Sequence, residues 1–373
     1  MPNQNYYRVL LTRQKPRQKP LVKISSPPIP PTVVIKTAFE LLDTNQDGIL
    51  TRQEYFTDNA TSNFDTLRAA ELMRLCACAY TQYDNFKVND TWAIPAPYNN
   101  VTVIYAAYEK MYGAYHYPVP ISSPDASAIP IGFIAEYNND VNIVFRGTEN
   151  AEEWEQNIKC IFTPCLFLKE PYNEMVHKGF YELYTAGMTN GNNSDSPQNT
   201  IKNYLNSLSR EKDYNVWITG HSLGGALATL ATCDIVVNTK HTSAKMYNFA
   251  SPRVGDSDFV NTFNANTLFS GTTRAGCWRI VNTYDLVPML PLEIQGYKHV
   301  NGLYEITFGN KDWLYLPNIV TDHSYDTYLA TMVKVLKSSG YTATQLKTKY
   351  FTSVELSAAG YTSADLTNAG YTV

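Results

Sequence analysis

The chain has 373 residues and a formal net charge of −4, with 44% hydrophobic and 17% charged residues. That length allows one large α/β domain with smaller appendages, and the balance excludes a fibrous chain, a wholly disordered one and a strongly basic nucleic-acid binder. No run of about 18 apolar residues marks a membrane-crossing helix, and no apolar segment follows Met1 as a secretory leader requires. The expected location is therefore the cytoplasm or the periphery of a membrane. Charge is unevenly placed. Residues 1–36 hold Arg8, Arg13, Lys15, Arg17, Lys19, Lys23 and Lys36 with no acid, alongside seven prolines. Prolines at that density block a helix. Residues 1–31 thus read as a solvated arm, with weak attraction to an anionic membrane as the sharper alternative.

A short apolar helix pattern, Val34–Leu42, leads into Asp43-Thr44-Asn45-Gln46-Asp47-Gly48-Ile49-Leu50-Thr51-Arg52-Gln53-Glu54. These twelve residues fit the EF-hand calcium loop at each diagnostic place. Asp43, Asn45 and Asp47 offer side-chain oxygens, and Gly48 permits the turn. Ile49 offers its carbonyl, Thr51 acts directly or through water, and Glu54 can bind with both oxygens. The pattern predicts Ca²⁺ held within a helix-loop-helix over residues 32–58. No second loop of this kind occurs to pair with it, and the competing reading is an Asp/Asn-rich turn that binds nothing.

Leu67, Leu72, Leu75, Cys76 and Ala79 then follow helical spacing. From Ile131 the pattern changes. Ile131–Tyr137 and Val141–Thr148 read as strands around the hairpin signal Asn138-Asn139-Asp140. Ile201, Tyr204, Leu205 and Leu208 make a helix stripe, Tyr214–Thr219 a strand, and Met246–Ala250 and Trp278–Asn282 two later strands. Such alternation predicts a largely parallel sheet with helices on both faces, whose active site lies at the carboxyl ends of the strands. Cys76, Cys78, Cys160, Cys165, Cys233 and Cys277 show no metal spacing and read as buried thiols. Residues 339–373 repeat every ten residues: Gly340-Tyr341-Thr342, Tyr350-Phe351-Thr352, Gly360-Tyr361-Thr362 and Gly370-Tyr371-Thr372 superimpose. Leu346, Leu356 and Leu366 recur in step, Thr342…Gln345 and Thr352…Glu355 are capping-box patterns and Thr362…Asp365 is close to one, so the tail reads as small stacked helices with no assignable partner.

Between the Tyr214–Thr219 strand and the apolar helix pattern Ala226–Ala231 stands Gly220-His221-Ser222-Leu223-Gly224-Gly225. This is G-x-S-x-G on a strand-to-helix turn, the nucleophile elbow, where glycines make room for a strained serine held clear of the sheet. A serine so placed needs a base and an orienting acid. The chain order serine, acid, histidine sets aside His116, His177, His221 and His241 and leaves His299 and His323. His323 sits in a polar loop before the amphipathic stretch Tyr328–Val333, whereas His299 precedes a strand-like run. Asp285 lies in the loop after the Trp278–Asn282 strand. Its competitors Asp256 and Asp258 are better placed to cap a helix starting near Phe259.

The blocks Leu75–Tyr80, Val144–Thr148, Val176–Phe180, the elbow itself, Phe249–Gly255 and Asn282–Pro288 resemble the class 3 lipases, the fungal triacylglycerol-lipase type, over roughly residues 65 to 335. The resemblance implies an α/β-hydrolase fold spanning about 59–338, with Ser222, Asp285 and His323 as triad and no cofactor for catalysis. It implies Thr148 and the backbone N–H of Leu223 as the oxyanion hole, with Arg146 and His177 organising the site. It also implies a mobile lid after Thr148, around Glu149–Gln156, with Trp154 packing over the cleft or facing lipid; the alternative for Trp154 is an ordinary core or surface aromatic. The implied activity is hydrolysis of lipid carboxylic esters at a lipid–water interface through an acyl-enzyme, with peripheral membrane contact. A phospholipase or a feruloyl- or carboxylester esterase on the same fold is one alternative. A calcium-dependent binding protein with an inactive hydrolase domain is another. Class 3 lipases do not generally carry the calcium loop.

Overall fold

The computed structural model describes residues 64–108, 127–148, 160–186, 196–267, 276–308 and 319–372. The arm, the calcium-loop pattern from Asp43 to Glu54, and the lid candidates Glu149 and Trp154 lie outside the described residues.

Helix α1 (Thr66–Lys87) starts where the Asp65 carboxylate accepts the Arg68 N–H, at 2.9 Å, satisfying one of the donors that a helix start leaves open. Its buried stripe is rich in small residues, Ala69, Ala70, Cys76 and Ala79, which lets the helix lie close against the sheet. Three antiparallel strands follow: β1 (Asn99–Tyr108), β2 (Ser127–Tyr137) and β3 (Asp140–Phe145). The tight β2–β3 turn is made possible by Asn138, which takes φ of 56°, a conformation that asparagine tolerates better than most residues. A two-stranded ribbon, β4 (Phe162–Pro164) with β5 (Met175–His177), and two helices, α2 (Lys178–Thr185) and α3 (Pro197–Ser207), precede β6 (Asn215–His221).

From β6 onward the chain alternates strand and helix: α4 (Leu223–Asn238), β7 (Lys245–Phe249), α5 (Ser257–Asn266), β8 (Cys277–Asn282) and β9 (Leu303–Ile306). The seven-stranded sheet runs β1-β2-β3-β6-β7-β8-β9 and is parallel from β3 to β9. The expected parallel sheet is therefore present, with an antiparallel flank on one side. Central β6 is buried at all but its first residue, as a strand covered on both faces must be. One apolar layer packs α2, α3 and α4 through Phe180, Tyr184, Leu205 and Leu227. The other packs α1 and α7 (Tyr325–Ser338), which follows the single turn α6 (Ile319–Asp322), against Phe133, Trp217 and Tyr247. Helix α4 is buried without a break from Leu223 to Val236. Its buried Asp234 receives Tyr184, Gln198, Lys202 and Asn238, the pairing that a carboxylate needs away from water.

The tail forms α8 (Ala343–Lys347), α9 (Ser353–Ala358) and α10 (Ser363–Asn368), each opened by a reciprocal capping box from Thr342, Thr352 or Thr362. The first unit is tied to the third and the second to the fourth. Tyr361 donates to the Tyr341 carbonyl at 2.6 Å, and Tyr371 to that of Phe351 at 2.5 Å. Lys337 and Lys347 donate to carbonyls at the C-terminal ends of α9 and α10, where the helix dipole favours a cation. Leu346, Phe351 and Leu356 share one apolar cluster with α1 and α7, and Arg74 of α1 pairs with Glu355 at 3.4 Å. The change of sequence pattern near residue 339 is thus no break in the core. All six cysteines are free thiols, four of them buried and Cys78 and Cys160 half-buried.

Candidate active site

The turn between β6 and α4 places Ser222 at φ 59° and ψ −127°, a backbone conformation that costs on the order of 1–3 kcal/mol for a non-glycine residue. The neighbouring glycines explain why the turn can close so tightly. A side-chain carbon at position 220 would lie 2.1 Å from the Gly224 carbonyl oxygen, so no other residue fits. The Ser222 N–H donates to the Phe249 carbonyl of β7 at 2.9 Å, which fixes the elbow to the sheet. Ser222 is also the N-cap of α4. The Leu223 N–H therefore belongs to a first helical turn whose donors have no intrahelical acceptor and point where negative charge is favoured.

Three loops at the carboxyl ends of the strands converge here. The Ser222 hydroxyl lies 2.7 Å from His323 Nε2, and His323 Nδ1 lies 2.8 Å from Asp285 Oδ2. All three side chains are buried. A carboxylate can only accept, so His323 Nδ1 carries the proton and Nε2 is left as acceptor for the serine hydroxyl. Asp285 is itself held by the Val287 N–H at 3.0 Å and by the Tyr328 hydroxyl at 2.8 Å. Tyr328 in turn accepts the Asn282 N–H at 2.8 Å, so its own proton is committed to Asp285.

Several other histidines and acids among the described residues find other work. His221 meets the Tyr80 hydroxyl at 2.9 Å, and its ring centroid lies 4.8 Å from that of His323. Burial, and then the neighbouring His323, hold its pKa well below the usual histidine range, which keeps it uncharged beside the base. His299 Nε2 bonds the Pro288 carbonyl at 2.6 Å, behind the Asp285 loop. His177 caps α2 and stacks on Phe180. Asp256 caps α5 by accepting the Phe259 N–H at 2.9 Å, and Asp258 lies in the same helix's first turn.

The segment after β3 runs directly against the elbow: a side-chain carbon at position 147 would come within 2.8 Å of Ser222 Cβ. Arg146 bonds the Pro130 carbonyl at 3.0 Å and the Gly147 carbonyl at 2.7 Å, with its guanidinium 3.7 Å from the Tyr83 ring. Pinning the Gly147 carbonyl turns the trans peptide so that the Thr148 N–H faces the opposite way. The Thr148 hydroxyl is buried with no hydrogen-bond partner among the described residues. A buried donor without an acceptor costs free energy until something supplies one, and a developing oxyanion would. Thr148→Val, which keeps the shape and removes the hydroxyl, is expected to lower kcat by about 10-fold or somewhat more, below the 10²–10³ seen for losing an oxyanion donor outright, because the backbone N–H survives. Steady-state kinetics on a soluble ester checks this; an unchanged kcat removes the hydroxyl from the site.

Two positioning contacts had no counterpart in the sequence reading. Tyr328 stood there only as part of a helix stripe, although a large tyrosine on a buried face needs a partner for its hydroxyl. Tyr80 lies in the Leu75–Tyr80 block, but its pairing with His221 bridges 141 positions and leaves no local mark. Among the described residues, no group of three or more His, Cys, Asp or Glu side chains could hold a metal ion.

Comparison with known proteins adds a family match and several relatives. Residues 142–295 match the family model described as Lipase (class 3), a span that includes Thr148, Ser222 and Asp285 and stops short of His323. The chain is 30% identical over 207 residues to phospholipase A1-IIgamma of Arabidopsis thaliana, covering 51% of this chain and 47% of that protein. It is 30% identical over 181 residues to the secreted mono- and diacylglycerol lipase A of Penicillium cyclopium, covering 48% and 52%. It is likewise 30% identical over 170 residues to the lipase of Rhizomucor miehei, covering 45% and 42%. The chain spans about half the length of the curated relatives it matches.

Proposed function

We propose that this chain, with its class 3 lipase match and its three converging loops, is a serine hydrolase that cleaves carboxylic esters of lipids through an acyl-enzyme. The observation that carries this is the unbroken hydrogen-bonded line from the Ser222 hydroxyl through His323 to Asp285. His323 Nε2 takes the serine proton as Ser222 Oγ bonds to the ester carbonyl carbon. Asp285 holds the imidazolium that forms, and the carbonyl oxygen takes up negative charge opposite the Thr148 and Leu223 N–H groups. Collapse of this tetrahedral species breaks the ester C–O bond and passes the proton from His323 to the departing alcohol. Water, deprotonated by the same histidine, then releases the acid.

The names of the similar proteins include both phospholipase A1 and mono- and diacylglycerol lipase, so the head group is the open variable, and a phospholipase is the second reading. An inactive scaffold is disfavoured because all three triad side chains are present and within hydrogen-bond reach. The Asp43, Asn45, Asp47, Ile49, Thr51 and Glu54 pattern adds hard oxygen donors suited to Ca²⁺, bound outside the reaction itself.

One experiment separates these readings. Turnover is measured on short and long p-nitrophenyl esters, a feruloyl ester, monoacylglycerol, triacylglycerol and phosphatidylcholine, each with calcium or chelator, beside calorimetry with Ca²⁺ alone. The expected result is ester hydrolysis that persists in chelator and a single calcium-binding event. No turnover on any ester, with calcium binding intact, would leave the binding-protein reading standing.

A further inference from the structure

Large apolar side chains are exposed along the loop that follows the triad residue Asp285. Leu286, Met289, Leu292 and Ile294 are 36%, 54%, 47% and 92% exposed, all within nine residues of one loop that begins next to Asp285. Ile161, 51% exposed, adjoins them. Its neighbour Phe162 stacks on Tyr297 at 4.1 Å, and Cys160 bonds Gln295. Exposed apolar residues scattered singly need no explanation, but four within nine residues of one loop that starts beside Asp285 do.

The backbone beneath these side chains is already satisfied. Arg253 donates through its main-chain N–H to the Leu290 carbonyl at 2.7 Å, and through its guanidinium to the carbonyls of Met289 and Pro291. His299 takes the Pro288 carbonyl, and two short 3₁₀ turns, Val287–Met289 and Glu293–Gln295, use further groups. Four successive carbonyls, 288 to 291, are thus bonded inside the protein. A loop in that state loses little by leaving water, since the usual obstacle to entering an apolar phase is an unpaired peptide group. Charge agrees. Glu293 is the sole acid from 286 to 299, and it is bridged by both Arg253 and Lys298, at 3.3 and 3.2 Å. The rim therefore carries no net negative charge to oppose lipid phosphate.

Building on the ester-hydrolase reading above, we propose that the 286–294 loop, with Ile161 beside it, is a fixed docking surface for a phospholipid bilayer, seating the triad at the interface where its ester lies. Bound lipid would reach a surface that begins one residue from Asp285, while the Val287 N–H in the same loop holds the carboxylate.

The test uses the full chain carrying Ser222→Ala, so that vesicles stay intact, and measures co-sedimentation with phosphatidylcholine vesicles. Adding Leu292→Asp and Ile294→Asp is expected to weaken partitioning by at least about 10-fold per side chain. Val354→Asp, at an exposed position in the tail, should leave it unchanged. In the Ser222 background, the double variant's rate on dispersed phosphatidylcholine should fall at least about 10-fold relative to its rate on a water-soluble p-nitrophenyl ester. Both positions are exposed, and Ile294→Asp alone decides the matter if the double variant fails to fold. Vesicle binding that survives these changes overturns the proposal. So does a wild-type chain that ignores vesicles, or one that self-associates through this loop instead. Hydrolysis of the soluble ester reports on the catalytic reading separately, so either reading can fail without the other.

Discussion

Ser222→Ala is expected to lower kcat on every ester by about 10⁶-fold, the scale for losing the nucleophile of a hydrogen-bonded triad. The loss is confined to chemistry. Alanine tolerates φ of 59° no worse than serine does, and the elbow's bond from the residue 222 N–H to the Phe249 carbonyl is a backbone bond. The fold, and with it the affinity for substrate, should therefore survive. Burst kinetics with p-nitrophenyl ester on the purified variant, beside its thermal midpoint, checks both statements. Full turnover by a folded Ser222→Ala protein would refute the nucleophile.

Asp285→Asn should cost about 10⁴-fold in kcat, the scale for trapping the imidazole in the wrong tautomer. The bonding around this residue explains why. Oδ2 accepts from both His323 and Tyr328, while Oδ1 accepts from the Val287 N–H. An asparagine can offer an oxygen to only one side. If its oxygen faces His323, the amide NH₂ is forced against the Val287 N–H. If it flips, the NH₂ faces His323 Nδ1, the ring proton moves to Nε2, and that nitrogen can no longer receive the proton of Ser222. Pre-steady-state measurement of acylation is the direct check. Tyr328→Phe is the informative partner, because it keeps the carboxylate and should cost far less. Equal activity of Asp285→Asn and wild type would remove Asp285 from the reaction.

What could be read from the sequence was what is written locally. The elbow is contiguous: a β-rich run, a glycine turn and a small-residue helix fall within about twenty positions, and each constrains the next. Asp285 and His323 were reachable because serine, acid and base keep one chain order and each follows a strand or precedes a helix. Strand β1 went unread. Its Asn99-Asn100 start carries no strong alternation, and it lies at the edge of the sheet, where burial imposes less pattern. The Tyr328–Asp285 and Tyr80–His221 pairs went unread for another reason: a single hydroxyl finding a partner across 43 or 141 residues creates no periodicity. In the tail, Thr342, Thr352 and Thr362 announce each helix start through their own caps, whereas the ties from Tyr361 to Tyr341 and from Tyr371 to Phe351 skip a whole unit.

The unbroken enclosure of α4 from Leu223 to Val236 sets where this scaffold has freedom to diversify. Any enlargement of a side chain behind the elbow meets packed neighbours on all sides, so a change of substrate preference introduced there would cost stability before it altered selectivity. Variation is tolerated better at the periphery, where Met289, Leu292 and Ile294 are 54%, 47% and 92% exposed and have less packing to lose. A directed-evolution library aimed at new acyl or head groups should therefore be concentrated on such rim positions and leave the central helix invariant.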